Sequence, residues 1–277
     1  MSNFRPIGLF DSGVGGLSVW QAVMRRLPHE TTVYVADSAN CPYGRRPADE
    51  ITALSRAIVH FLLQHDCKLI VVACNTASAA ALDTLRAEFN LPIVGMEPAV
   101  KPAAAATRTG HVGVLATAGT LQGHLFKNTS HHYANGIKVY EQIGEGLVEL
   151  VEAGELDTTA TETLLRQHLE PMLAAGVDQI ALGCTHYPLL LPLIQRIAQG
   201  RATVIDPAAA VARQVERVLI HHNLLAEPSN QTEHKFYTTG RPEVLQHLVA
   251  IISSWQVNVT PLAPILPLAT SQIPTVI

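Results

Sequence analysis

The sequence predicts an α/β fold of two similar lobes, each a mostly parallel sheet flanked by helices and related by an internal pseudo-twofold duplication. Three observations predict it. Short apolar runs alternate with segments of helical period, and those runs are continuously apolar rather than alternating. Landmarks of the first half also recur in the second at a nearly fixed offset. The composition agrees: 48% hydrophobic residues over 277 positions supply a large core, and 5% aromatic residues suit buried parallel strands better than an aromatic-rich sandwich.

In chain order, residues 7–10 form the first apolar run and stop at Asp11-Ser12-Gly13, and 17–27 follow with helical period. The run 33–36 stops at Asp37 and precedes a helix over 51–64. The run 69–73 stops at Cys74-Asn75-Thr76, a helix over 77–89 follows, and 93–95 lead into Met96-Glu97-Pro98. In the second half, 112–116 stop at Thr117 before another helix, and 137–140 are a candidate strand. Residues 179–183 stop at Cys184-Thr185-His186 before a helix over 189–199, and 202–205 stop at Asp206-Pro207. A helix over 208–221, a polar linker over 227–233, a strand over 235–238, a further helix and a short strand at 257–259 complete the pattern.

Cys74 and Cys184 lie 110 positions apart, Pro98 and Pro207 lie 109 apart, and Asp11 and Thr117 lie 106 apart. Fixed-period similarity of this kind is the signature of a repeated unit. The expected division is a discontinuous first lobe (1–97 with 208–260), a second lobe (98–207) and a Pro-rich apolar tail (261–277). The tail carries Pro261, Pro264, Pro267 and Pro274, so it cannot form a regular helix.

A net charge of −4 argues against a nucleic-acid surface or attraction to anionic lipid. No apolar run reaches the roughly 20 residues of a membrane helix, and the N-terminus lacks the apolar stretch of a secretory signal. The expectation is a cytoplasmic protein. Its four cysteines lack Cys-x-x-Cys spacing and are expected to be reduced thiols.

Ligands of open parallel sheets bind at the carboxyl ends of strands, so the polar stops converge on a cleft between the lobes, the expected active site. Cys74 and Cys184 occupy matching places, each after a buried strand and before a helix. Free N–H groups at a helix start favour thiolate and lower a cysteine pKa by about one unit or more. Two thiols on opposite walls of one pocket are what two-base proton abstraction requires, one taking a proton from a carbon and the other returning one to the opposite face. Cys41 and Cys67 are expected to be inert small hydrophobes. Spacing supports no zinc site, because only Cys184 and His186 are neighbours. His186 is a candidate proton donor or orienter for Cys184. Asp11 either caps the next helix or, facing Cys74 at a strand end, orients or deprotonates that thiol. Gly13-Val-Gly-Gly16 departs from the dinucleotide fingerprint and lacks a P-loop lysine, though its N–H groups suit an anion such as a carboxylate. None of the five lysines sits at a strand end, so a Schiff-base cofactor is unsupported.

Several segments resemble the glutamate racemases of the cofactor-independent, two-cysteine aspartate/glutamate racemase superfamily. They are Leu9-Phe-Asp-Ser-Gly-Val-Gly-Gly-Leu-Ser18, Cys41-Pro-Tyr-Gly-Arg45, Ala73-Cys-Asn-Thr-Ala-Ser78, Gly113-Val-Leu-Ala-Thr117 and Leu182-Gly-Cys-Thr-His-Tyr-Pro188. They span most of the first two hundred residues in the family's order. The resemblance implies interconversion of L- and D-glutamate, supplying D-glutamate for peptidoglycan, with no cofactor and no metal. It implies Cys74 and Cys184 as the acid/base pair, assisted by Asp11 and His186. Contacts to substrate would come from Asp11, Ser12, Tyr43, Gly44, Asn75, Thr76, Thr117, Thr120, Thr185 and His186. Glu152 corresponds to an acidic residue some members place near the second catalytic half; its alternative is a solvated helix carboxylate. Gly123-His124 and Ala77 depart from the family pattern. The expected small-molecule partner is glutamate, and the apolar tail either lines a contact with a second copy in a homodimer or simply covers the first lobe. Rival readings are an aspartate racemase, a one-cysteine decarboxylase, a relative acting on a protein partner, or a two-lobed binder without chemistry.

Overall fold

A computed structural model describes residues 4–133, 136–228 and 232–267. The chain begins with β1 (Ile7–Asp11), α1 (Leu17–Arg26), β2 (Thr32–Ala36), α2 (Ala48–Gln64), β3 (Leu69–Val72), α3 (Asn75–Glu88) and β4 (Ile93–Val94). It crosses over and continues with α4 (Val100–Ala106), β5 (His111–Ala116), α5 (Ala118–Gln122), α6 (His124–Tyr133) and β6 (Lys138–Ile143). Next come α7 (Leu147–Glu152), α8 (Thr159–Ala174), β7 (Gln179–Gly183), α9 (Leu191–Ala198) and β8 (Thr203–Ile205). The chain returns through α10 (Ala208–His221), β9 (His234–Thr238), α11 (Pro242–Ser253) and β10 (Val259–Pro261).

The expected α/β class is what the structure has: one six-stranded sheet ordered β10-β9-β2-β1-β3-β4 and one four-stranded sheet ordered β6-β5-β7-β8. Every pairing described is parallel. The order β2-β1-β3-β4 in one sheet is the order β6-β5-β7-β8 in the other. The three recurring landmarks therefore occupy equivalent strands: Asp11 ends β1 and Thr117 follows β5, Cys74 follows β3 and Cys184 follows β7, and the prolines follow β4 and β8.

Continuous apolar strands make sense once both faces are covered. In β1 and β3, Leu9, Leu69 and Val71 face a cluster completed by α1, α10 and α11. Phe10, Ile70 and Val72 face the opposite cluster, completed by α2 and α3. In the second sheet Leu115, Ile180 and Leu182 join the first of these clusters, so one apolar core runs through both lobes. Val112, Val114 and Ala181 pack on the far side with α4 and α6.

Some boundaries differ from the sequence reading. The helix expected at 189–199 starts with a 3-10 turn (Tyr187–Leu190), because Pro188 and Pro192 both sit at helix starts. The helix after Thr117 is split by Gly123, whose extended backbone ends α5 and which stands where a Cβ would lie 2.6 Å from the Ala79 Cβ. β6 extends to Ile143. The described start of the expected tail covers the first lobe: Pro261 closes edge strand β10, and Leu262 and Ile265 pack on the α2–α3 side. The rest of the tail lies outside the described residues.

Candidate active site

Both cysteines line one small cavity between the lobes, together with Ser12, Pro42, Tyr43, Gly44, Asn75, Thr76, Thr117, Val148, Thr185 and His186. Of the predicted substrate contacts, Asp11 and Thr120 do not line it. Asp11 is wholly buried behind Ser12, and its Oδ2 accepts from the Gly16 N–H at 2.6 Å and the Thr185 hydroxyl at 3.2 Å. It thus ties the first lobe to the second. Thr120 lies behind Thr117, the N-cap of α5. Its hydroxyl sits 2.9 Å from that of Thr117, which is in turn 2.8 Å from that of Thr76 on the other lobe.

Cys74 is the N-cap of α3, and its sulfur accepts weakly from the Ala77 N–H at 3.4 Å. The thiol donates to the Ser12 hydroxyl at 3.6 Å. The expectation that the helix start lowers this thiol's pKa is not met. Burial pushes it well above the ordinary cysteine range, the Asp11 charge pushes it further, and the Ala77 N–H only partly offsets them. Asp11 is itself raised by burial, against the opposing pull of His186, Cys74 and Gly16.

On the other wall, Cys184 lies 3.7 Å from His186 Nδ1, and His186 Nε2 lies 2.6 Å from Glu152 Oε1. Burial alone would lower the imidazole, but hydrogen bonds to Cys184, Cys41 and Glu152 hold it well above its usual range. Glu152 is the partner of this cation rather than a solvated helix carboxylate. Burial raises it, yet His186, the Val14 N–H and the Ser38 hydroxyl together bring it below the usual range. A protonated ring 3.7 Å from the sulfur offsets negative charge developing on Cys184.

The glycine-rich stretch finds its anions inside the protein. The Val14 N–H donates to Glu152 Oε1 at 2.7 Å and the Gly16 N–H to Asp11. A Cβ at Gly13 would sit 1.9 Å from Glu152 Oε1, and one at Gly15 would sit 2.4 Å from His186 Nδ1 and 2.6 Å from the His186 backbone nitrogen. Only bare backbone lets this loop lie against the second lobe.

Two residues of the segment after β2 escaped the sequence reading. Cys41, expected to be inert, has its thiol beside His186 and Glu152, with burial as the main reason its pKa is pushed up to about 12. Cys67, in contrast, sits in the α2–α3 core as expected. Ser38 donates to Glu152 Oε2 at 2.9 Å. The polar stop after β2 marked this segment, but nothing local showed that it reaches the other lobe. Among the described residues, Cys41, Glu152 and His186 bring a sulfur, a carboxylate oxygen and a ring nitrogen within 4.8 Å of one another around the His186–Glu152 hydrogen bond, a cluster that sequence spacing concealed.

Asn75 is 3% exposed, lines the cavity, and neither its amide nitrogen nor its oxygen has a partner among the described residues. A buried amide left unpaired is costly, and a polar ligand in the cavity would satisfy it. Tyr43 also lines the cavity, and its hydroxyl donates to Asp37 Oδ2 at 2.7 Å. At the mouth, Arg45 of the first lobe meets Glu149 of the second at 2.9 Å, both well exposed. No helix of the described residues is long and apolar enough to cross a membrane.

Comparison with known proteins gives this arrangement a context. The Asp/Glu/hydantoin racemase family model matches residues 17–215. The glutamate racemase of Herpetosiphon aurantiacus is 48% identical over 238 residues, covering 86% of this chain and 94% of that one. The glutamate racemase isoform RacE1 of Bacillus anthracis superposes with a TM-score of 0.84 at 33% identity, over 95% of this chain and 99% of the other. The Escherichia coli glutamate racemase, solved with L-glutamate and the activator UDP-MurNAc-Ala, gives 0.82 at 33% identity over 94% and 98%.

Proposed function

Because the chain belongs to the Asp/Glu/hydantoin racemase family, we propose that it interconverts L- and D-glutamate by two-base proton transfer at Cα. The observation that carries this reading is the presence of Cys74 and Cys184 on one inter-lobe cavity, each at the equivalent strand end of its lobe. One sulfur takes the Cα proton while the other delivers a different proton to the opposite face, so configuration inverts while the carbon keeps its other three substituents. Glutamate as substrate is supported by the name of the 48% identical relative and by the L-glutamate bound to the Escherichia coli neighbour. Its product would serve peptidoglycan synthesis in a bacterial cytoplasm.

The Cα–H of an amino acid is a very weak acid, so the site must stabilise the charge that develops as the proton leaves. Fixed donors do this best in a dry cavity. Ser12, Asn75, Thr76, Thr117 and Thr185 supply them here. Asp11 orients Cys74 and Thr185, and Glu152 holds the proton on His186 beside Cys184. The crossovers after β4 and after β8 are where the lobes would hinge to admit substrate.

Incubation of the purified protein with L-glutamate in deuterated water, without added cofactor, should replace the Cα–H signal and produce D-glutamate. Aspartate in its place should exchange far more slowly. Cys74→Ala and Cys184→Ala should each cut racemisation at least roughly a hundredfold. Full turnover of both enantiomers by either variant would remove the two-base mechanism, and faster exchange of aspartate would replace the substrate.

A further inference from the structure

We infer that Ser38, on the first lobe, is a positioning residue for the second lobe's acid/base set, so that His186 and Cys184 take up their arrangement only when the cleft is closed. This deepens the racemase reading and rests on it. Glu152 ends α7, and a carboxylate on so short a helix has no reason of its own to stay mostly out of water, yet its side chain is only 18% exposed. It stays because three donors grip it: His186 Nε2 and the Val14 N–H on Oε1, at 2.6 and 2.7 Å, and the Ser38 hydroxyl on Oε2, at 2.9 Å. Two of those three donors belong to the other lobe.

The consequence is mechanical. When the lobes part, Val14 and Ser38 leave with the first lobe, and Glu152 retains only His186. A carboxylate stripped of two donors seeks water and gives up its fixed position. The ring it holds then loses its orientation toward Cys184, 3.7 Å away on the other nitrogen. Closure thus delivers the substrate and assembles the acid/base group at once. The Val14 donor is backbone, and its approach depends on Gly13 having no side chain. The Ser38 hydroxyl is the half of the grip that a substitution can remove cleanly.

The ionisable groups facing Glu152 are His186, Cys41, Asp11 and Tyr34, all kept in Ser38→Ala. Removing one of three donors makes the carboxylate take up a proton from solvent at higher pH, which cancels the charge that holds and orients the His186 ring. In Ser38→Ala, the acid limb of the kcat–pH profile, which reports the closed complex with substrate, should move up by about one unit, and kcat at neutral pH should fall roughly tenfold. The thermal unfolding midpoint should stay near that of the wild type, since the hydroxyl is only half-buried. Ser38→Cys keeps the volume with a weak donor, serves if the alanine variant does not fold, and should shift the limb in the same direction by less. Wild-type racemisation with an unmoved acid limb in both variants would overturn the inference alone. A wild type that does not racemise glutamate would overturn the functional reading and this inference with it.

Discussion

Cys74 meets its surroundings as a buried thiol before it meets them as a helix cap. A helix start favours thiolate, but only one weak N–H contact reaches this sulfur, whereas the whole group is dehydrated and lies beside the Asp11 carboxylate. Local sequence shows the cap and hides the dehydration, which explains why the position of Cys74 was legible and its protonation was not. Cys41 has the same history: a cysteine before proline looks inert until the fold sets it against His186 and Glu152. The glycines were legible as backbone that approaches an anion, but the anions prove to be Glu152 and Asp11. Gly15 gives the sharpest test at this scale. In Gly15→Ala the new methyl meets the His186 backbone nitrogen at 2.6 Å, which no side-chain rotation relieves. Steady-state assays should show kcat/KM down roughly a hundredfold, because displacement by about an ångström at the site costs that much. Near-normal activity would mean that the loop does not need its contact with the second lobe.

The strands and their polar stops were legible because a parallel strand covered on both faces must be continuously apolar and must end where the ligand side begins. The stretch between β6 and β7 was not. α7 is six residues long, too short for a periodic pattern, and α8 carries charge on its exposed side, so neither announces which neighbour it serves. What α7 does is carry Val148 to the cavity wall and Glu152 to His186. The electrostatic sign follows from that placement. His186 is raised and Glu152 lowered, so the pair stays ionised from below the usual carboxylate range to above the ordinary imidazole value of 6.5. In Glu152→Gln the ring loses the charge that opposes its burial, and its pKa falls. A kcat/KM–pH profile should therefore show the basic limb moved down by about one unit or more. A basic limb that stays in place would show that another group holds the His186 proton.

At the scale of the whole molecule, the shared strand order turns one chemical problem into two copies of one solution. Each lobe ends a central strand in a cysteine, and facing the lobes toward each other sets the two sulfurs on one cavity. The apolar core that runs through both lobes favours the closed arrangement, and the exposed Arg45–Glu149 pair at the mouth adds little, since such pairs contribute about 0–1 kcal/mol. The recurrence of Cys74 at Cys184 made this symmetry legible from the sequence. The contacts that cross the cleft, from Ser38, Val14 and Asp11, were invisible because no short-range pattern encodes which lobe a side chain will face. The origin of the hydrogen that ends on the product tests the two-sulfur account most directly. With the wild type in deuterated water, the enantiomers separated after the first few per cent of conversion should differ completely: product carrying one deuterium at Cα, recovered substrate still carrying protium. Product that retains the substrate's own hydrogen, the mark of a single group working on both faces, would contradict it.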